Sequence, residues 1–220
     1  MAKFTSLPVE LVYRILDQQD DYTLFFSMQN VCRRFNQILK TFPRYQTITA
    51  LNFAYVGIGM KGVHHLAHIL KKNTTITSLN LQSNDIDDRG AQYLADVLVI
   101  NTTLIVLDLS FNDIGDEGVQ HLAEALTTNT TLTMLNLRYN RIRVKGAQYL
   151  GCAFEINTGL NTVDLTHNRF GVQGAKYIVD AFETNTTLTS LELGQNGIQE
   201  EDIECFRSAA GAPLRMVRWH

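Results

Sequence analysis

The most constraining feature of the chain is a set of residues that recur at a fixed interval of 28 positions. Asparagine returns at this interval in two separate series and glycine in a third: Asn73, Asn101, Asn129, Asn157 and Asn185; Asn84, Asn112, Asn140, Asn168 and Asn196; Gly62, Gly90, Gly118, Gly146 and Gly174. A period of about 20 to 50 residues is typical of architectures in which one small unit stacks on the next. We therefore expect most of the chain to form a repeat array.

Each unit combines a short strand with a helix. Leucines alternate in Leu135-x-Leu137, which is the pattern of a strand. After the glycine, apolar residues follow at helical spacing, as in the run from Val119 to Leu126. One such unit cannot bury both its strand and its helix, so neighbouring units must share a core. This predicts an α/β solenoid with parallel strands.

The frame Leu-x-x-Leu-x-Leu-x-x-Asn, present at 104–112 and 132–140, resembles the leucine-rich repeats of the ribonuclease-inhibitor subfamily. The resemblance implies a curved solenoid with strands inside and helices outside, built from six units and a C-terminal cap strand over residues 45–220. It also implies that the second asparagine series bonds backbone groups where each strand bends, forming a ladder from unit to unit: Asn84, Asn112, Asn140, Asn168 and Asn196.

Residues 1–44 lack the repeat and differ in charge, with six basic and four acidic residues against 13 and 18 in the rest of the chain. Leu7-Pro8-x-Glu10-Leu11 is typical of a helix start, because Ser6 suits the N-cap and Pro8 is tolerated in the first turn. A second helical stretch is predicted over about 24–39. We therefore predict a small all-α module ahead of the solenoid.

This segment resembles an F-box, a module that docks onto the adaptor subunit of cullin-type ubiquitin ligases. The resemblance rests on the Leu-Pro motif, on Val31-Cys32-Arg33-Arg34-Phe35, and on the position directly ahead of leucine-rich repeats. It implies that eight residues bind the adaptor: Leu7, Pro8, Leu11, Ile15, Leu16, Val31, Cys32 and Phe35. The alternative is that these helices only cap the open end of the first repeat.

The repeat frame also identifies the side chains that face outward on the concave sheet and its rim. Adjacent strands lie about 4.8 Å apart, so Val106 is expected to contact Met134, and Phe111 to contact Tyr139. Aromatic residues surrounded by polar groups are typical of interaction hot spots. The predicted partner site comprises Val106, Asp108, Phe111, Met134, Asn136, Tyr139 and Asp164. The alternative is that these residues are ordinary cover for the sheet.

Charge and motifs exclude several classes of function. A net charge of −3 and a pI near 6.1 provide no basic field for nucleic acid or an anionic membrane. The pair His64 and His68 is too small a ligand set for zinc, and the cysteines form no CxxC pattern. No P-loop, GxSxG or HExxH motif occurs, so we expect no enzyme, catalytic residue, metal or cofactor. Arg141, Arg143 and Lys145 are expected to form exposed charge pairs with acids one unit earlier.

We expect a cytoplasmic or nuclear protein, because no membrane span or signal peptide is present. The four Asn-Thr-Thr sequons then have no meaning for glycosylation. The predicted function is substrate recognition within a ubiquitin ligase, by a chain that is a monomer by itself and binds an adaptor and an unidentified protein substrate. The alternatives are a ribonuclease-inhibitor-like binding scaffold and a GTPase-activating leucine-rich repeat protein.

Overall fold

The computed structural model describes residues 48–209 and 217–219. The F-box-like segment, with its predicted docking residues from Leu7 to Phe35, lies outside the described residues. Strands and helices alternate in the order β1 (Ala50–Asn52), α1 (Gly59–Leu70), β2 (Ser78–Asn80), α2 (Asp88–Leu98), β3 (Val106–Asp108), α3 (Asp116–Leu126), β4 (Met134–Asn136), α4 (Val144–Ile156), β5 (Thr162–Asp164), α5 (Gly171–Thr184), β6 (Ser190–Glu192), α6 (Glu200–Ala209) and β7 (Val217–Arg218).

The strands form one parallel sheet in chain order. From β1 to β6, each strand residue pairs with the residue 28 positions later, as Leu107 does with Leu135. The last step is two residues shorter, since Leu191 pairs with Val217. The predicted fold class, an α/β solenoid of parallel strands alternating with helices, is confirmed in the described residues.

The core is one continuous hydrophobic cluster between the sheet and the helices. The central residue of each of the first six strands is 0–1% exposed, and the residues on either side of it point away from the core. Each helix packs against the next one along the chain. Because neighbours share this core, the outward faces of successive strands are held at a constant spacing.

A ladder of buried asparagines lies where the strands end and their loops begin. Asn84, Asn112, Asn140, Asn168 and Asn196 each donate from Nδ2 to the carbonyl 31 residues earlier, in the preceding unit, at 2.8–3.0 Å. In the first four, Oδ1 accepts the N–H of the residue 26 positions earlier at 3.0–3.1 Å. The Oδ1 of Asn196 has no hydrogen-bond partner among the residues that the structure describes. The ladder fixes the loop that leaves each strand.

A second ladder, which the sequence analysis did not predict, uses the other asparagine series. Asn101, Asn129, Asn157 and Asn185 donate from Nδ2 to a last-turn carbonyl 31 residues earlier, in the helix of the preceding unit: Leu70, Leu98, Leu126 and Phe154. Their Oδ1 atoms accept the N–H groups two and three residues later. Helix ends leave carbonyls unsatisfied, so each of these asparagines caps the helix of the preceding unit. Each also orders the residues that lead into the strand of its own unit.

Two helix starts are capped from the neighbouring unit. Asp87 accepts the N–H of Gly90 within its own helix. The Oδ1 of Asp88, in contrast, accepts the N–H groups of Gly115 and Gly118 at the start of α3. Asp116 does the same for the N–H groups of Arg143 and Gly146 at α4, at 2.7 and 2.9 Å. Instead of the side-chain charge pair expected between Asp116 and its basic neighbours, the described contacts of Asp116 are with backbone.

Candidate protein-interaction site

A column of stacked rings lies at the rim, where β3, β4 and β5 run into their loops. Phe111 stacks on Tyr139 with ring centres 4.3 Å apart, and Tyr139 stacks on His167 at 3.9 Å with an interplanar angle of 10°. We call these three residues the rim stack. The contact of Phe111 with Tyr139 was expected from the frame. His167 occupies the same repeat position 28 residues after Tyr139, and its extension of the stack was not predicted.

The backbone of the rim stack lies in the left-handed region, with φ of 55°, 52° and 55°. This region costs a non-glycine residue about 1–2 kcal/mol, and large side chains are uncommon there. The same conformation occurs at Tyr55, Ser83 and Gln195, the equivalent positions of other units. The loop geometry therefore belongs to the repeat, and what distinguishes the third to fifth units is that three successive units carry a ring at this position, so that the rings stack.

The rings show their edges to solvent. Both faces of Tyr139 are covered by its two neighbours, yet 37% of the residue is exposed, and Phe111 is 42% exposed. The edge of an aromatic ring carries the positive part of its quadrupole. The rim stack thus offers a rigid apolar ridge whose outer surface favours negative charge.

A second apolar group lies on the sheet face beside the stack. Val106 and Met134 are register partners on β3 and β4, and Met134 is 42% exposed. The flanking units have Ser78 and Thr162 at the same position. We call Val106 and Met134 the sheet patch. Together with Phe111 and Tyr139, these two residues are the apolar members of the predicted partner site.

The polar members of the predicted site are engaged in local structure. Asp108 accepts from the N–H and hydroxyl of Ser110 at 2.8 and 2.6 Å, and Asn136 donates to its second oxygen at 3.2 Å. Asp164 makes the corresponding pair of contacts with Thr166. Asn136 accepts the N–H of Arg138. These side chains order the strand ends and are half-buried.

Arginine side chains surround the rim stack, and the sequence analysis had considered Arg141 only as one member of a charge pair. The guanidinium carbon of Arg138 lies 5.1 Å from the Tyr139 ring centre. Arg141 contacts Asp113 at 2.5 Å on the surface. Arg141 and Arg169 line a cleft of about 380 Å³ together with Tyr139 and His167. The signal that would have revealed this cleft is the change from acid to arginine at one repeat position.

The described residues contain no group of three His, Cys, Asp or Glu side chains placed to hold a metal ion. His64 packs edge-on against Tyr93 at 4.6 Å. Cys152 and Cys205 are exposed. Within the described part of the chain, no helix is long and apolar enough to cross a membrane.

A family model described as "Leucine Rich repeat" matches five segments that together cover just over half of the chain: residues 72–95, 101–123, 128–151, 157–179 and 184–206. The chain belongs to the leucine-rich repeat family. The matched segments begin at the second unit, and the structure adds the first with β1 and α1. Leucine-rich repeats bind protein partners, so the solenoid is a protein-interaction domain.

Solved structures show the same fold. The chain is similar to a structure titled "Leiomodin-1 Actin-Binding Site 2 (ABS2)", with 22% identity and a TM-score of 0.53 over 64% of this chain and 85% of that one. At this identity the similarity concerns the fold alone. None of the curated proteins matches the chain.

Proposed function

We propose that the protein is a substrate-recognition subunit of a cullin-type ubiquitin ligase, active in the cytoplasm or nucleus. Residues 1–44 dock the adaptor, and the leucine-rich repeats hold the protein that is to be modified. The chain performs no chemistry itself. It acts by bringing the substrate close to an enzyme bound elsewhere in the complex, which lowers the entropic cost of the transfer.

The observation that carries the binding half of this proposal is the exposure of large apolar side chains on the third and fourth units. Phe111, Met134 and Tyr139 are each 37–42% exposed. Exposed apolar groups of this kind are typical of interaction surfaces. Ring stacking and a defined loop backbone hold the rim stack in place, so a partner would order few side chains on binding.

The adaptor half is supported by the sequence. The Leu7-Pro8 motif and the Val31-Cys32-Arg33-Arg34 motif occur within one 44-residue segment, and leucine-rich repeats follow it directly. The segment carries a net charge of +2, while the remainder carries −5. This change of composition supports a separate module with a partner of its own.

Calorimetric titration with the purified adaptor of a cullin-type ligase tests the proposal. The full chain and a Met134→Asp/Tyr139→Asp variant are expected to bind the adaptor alike, whereas Leu7→Ala/Pro8→Ala loses binding. The first variant is the matched control, because it alters only the repeat surface. Circular dichroism establishes that all three chains are folded.

Absence of adaptor binding by the folded full chain would overturn the ligase role. The repeats would then act as a binding scaffold of the ribonuclease-inhibitor kind, with residues 1–44 as a cap. Faster GTP hydrolysis on mixing with a small GTPase would instead support the GTPase-activating alternative.

A further inference from the structure

The charge of the rim changes sign along the solenoid. We compare the residue that follows two positions after each rim residue, the repeat position occupied by Phe111, Tyr139 and His167 in the rim stack. This residue is Asp85 in the second unit and Asp113 in the third, then Arg141 in the fourth and Arg169 in the fifth. In the sixth unit the position is Gly197. The register of the sheet places these residues in one row, 28 positions apart. The basic half of this row begins beside the rim stack.

This basic half is only partly neutralised within the described chain. Asp113 reaches one guanidinium, that of Arg141. The exposed side chain of Arg169 forms no ion pair or hydrogen bond with any residue that the structure describes. The Nε atom of Arg138 is buried and has no hydrogen-bond partner in the described part of the chain. The position after Arg169 in the row is a glycine, so this row offers no further acid.

The cleft between Arg141 and Arg169 is preformed. Tyr139 and His167 form one wall, and the ladder residues Asn140 and Asn168 also line it. These asparagines are 5–6% exposed, and both their Oδ1 and Nδ2 atoms are bonded to backbone. The bottom of the cleft is therefore held by the ladder. The polar side chains left to contact a ligand are the guanidinium groups of Arg141 and Arg169, together with Asp113, His167 and Gln195.

We infer that this cleft binds an acidic segment of a protein partner, with a carboxylate between Arg141 and Arg169. The electropositive edges of the rim stack face the same segment, so an aromatic or apolar side chain next to the carboxylate lies against the ring column. The carboxylate of Asp113 on Arg141 shows the ligand chemistry that the arginine accepts. Asp113 thus competes with the incoming acid.

The inference deepens the proposed function, because it takes the repeat surface as the site of the partner and names the chemistry of that partner. It does not depend on adaptor binding. The two proposals can be refuted separately. If the chain binds the adaptor but not the acidic peptide, only the acidic partner is refuted. If it binds the acidic peptide but not the adaptor, only the ligase role is refuted.

Fluorescence anisotropy of the full chain tests the inference with three amidated, fluorescein-labelled peptides of equal length. One alternates glutamate with phenylalanine, and the others replace glutamate by lysine or by glutamine. The glutamate peptide is expected to bind about tenfold more tightly than the other two, with an affinity that falls as salt is raised.

Two sets of variants locate the binding. Arg141→Glu/Arg169→Glu is expected to weaken the glutamate peptide by about tenfold or more. Arg143→Glu/Lys145→Glu is the matched control, because it reverses two exposed charges that do not line the cleft and should change the affinity less than about twofold. Asp113→Asn removes the internal competitor and is expected to tighten binding about threefold.

Three results would overturn the inference: equal binding of the three peptides, an equal loss in the control variant, or weaker binding in Asp113→Asn. Tighter binding of a labelled single-stranded oligothymidylate than of the glutamate peptide would also overturn it, because the site would then select nucleic acid. Circular dichroism of each variant shows that the surface changes leave the fold intact.

Discussion

Alanine substitutions along the strand-end ladder are expected to destabilise the protein in a graded order. Asn112, Asn140 and Asn196 are all buried, and each donates from Nδ2 to three carbonyls. They differ in what Oδ1 accepts. From the residues that the structure describes, Asn112 accepts two buried N–H groups, those of Asn84 and Ile86, while Asn140 accepts one and Asn196 none.

Because the three side chains donate the same number of hydrogen bonds, differences in unfolding free energy between the variants measure the cost of the N–H groups left without an acceptor. A buried N–H left without an acceptor costs about 1–3 kcal/mol. Asn112→Ala is therefore expected to lower the free energy of unfolding by about 2 kcal/mol more than Asn140→Ala, and Asn140→Ala by about 2 kcal/mol more than Asn196→Ala. Asn161→Ala, at an exposed asparagine, is the control and should cost less than about 1 kcal/mol.

Urea denaturation followed by far-UV circular dichroism measures these differences. Repeat arrays can unfold in parts, so the fluorescence of Trp219, the single tryptophan, is recorded as a second probe at the C-terminal end. Equal losses for the three ladder variants, or the largest loss for Asn196→Ala, would refute the accounting of N–H groups.

Three further predictions concern the backbone of the repeat units. Tyr139→Gly should be about 1 kcal/mol more stable than Tyr139→Ala, because φ is 52° there; a lower urea midpoint for the glycine variant would contradict this. Asp88→Ala should cost about 1–2 kcal/mol by removing the acceptor for Gly115 and Gly118, while Asp88→Asn keeps most of the stability. Gly159→Thr introduces the threonine found at this position in other units, yet it should lower the thermal midpoint of unfolding, since its Cβ would lie 2.7 Å from the backbone of Thr130. An unchanged midpoint would contradict this, because it would show that the backbone near Thr130 moves to accommodate the Cβ.

The repeat unit could be predicted because its periodicities are dense and mutually consistent. Alternation at Leu135-x-Leu137 and helical spacing after Gly118 are both strong local signals, and the 28-residue interval then places every unit in register. The same reasoning placed Phe111 beside Tyr139. The predicted adaptor residues lie outside the described part of the chain and stay a prediction.

Contacts could not be predicted where a side chain has more than one possible hydrogen-bond partner. From the sequence, Asp116 could pair with a basic side chain one unit later or accept backbone N–H groups, and only the three-dimensional path of the loop decides that it caps the next helix. The left-handed backbone at Phe111 and His167 was equally unpredictable, because neither residue is a glycine. The capping role of the first asparagine series also depends on the path of the chain, because each side chain reaches a carbonyl 31 residues earlier, in the preceding unit.

Hydrogen exchange of the full chain, with and without the ligase adaptor, tests the central claim most directly. The account predicts slower amide exchange within residues 1–44 on adaptor binding, and unchanged exchange in the loops that carry Phe111, Tyr139 and His167. Protection at those loops would contradict the assignment of two separate surfaces. No change anywhere in the chain would contradict the adaptor role itself.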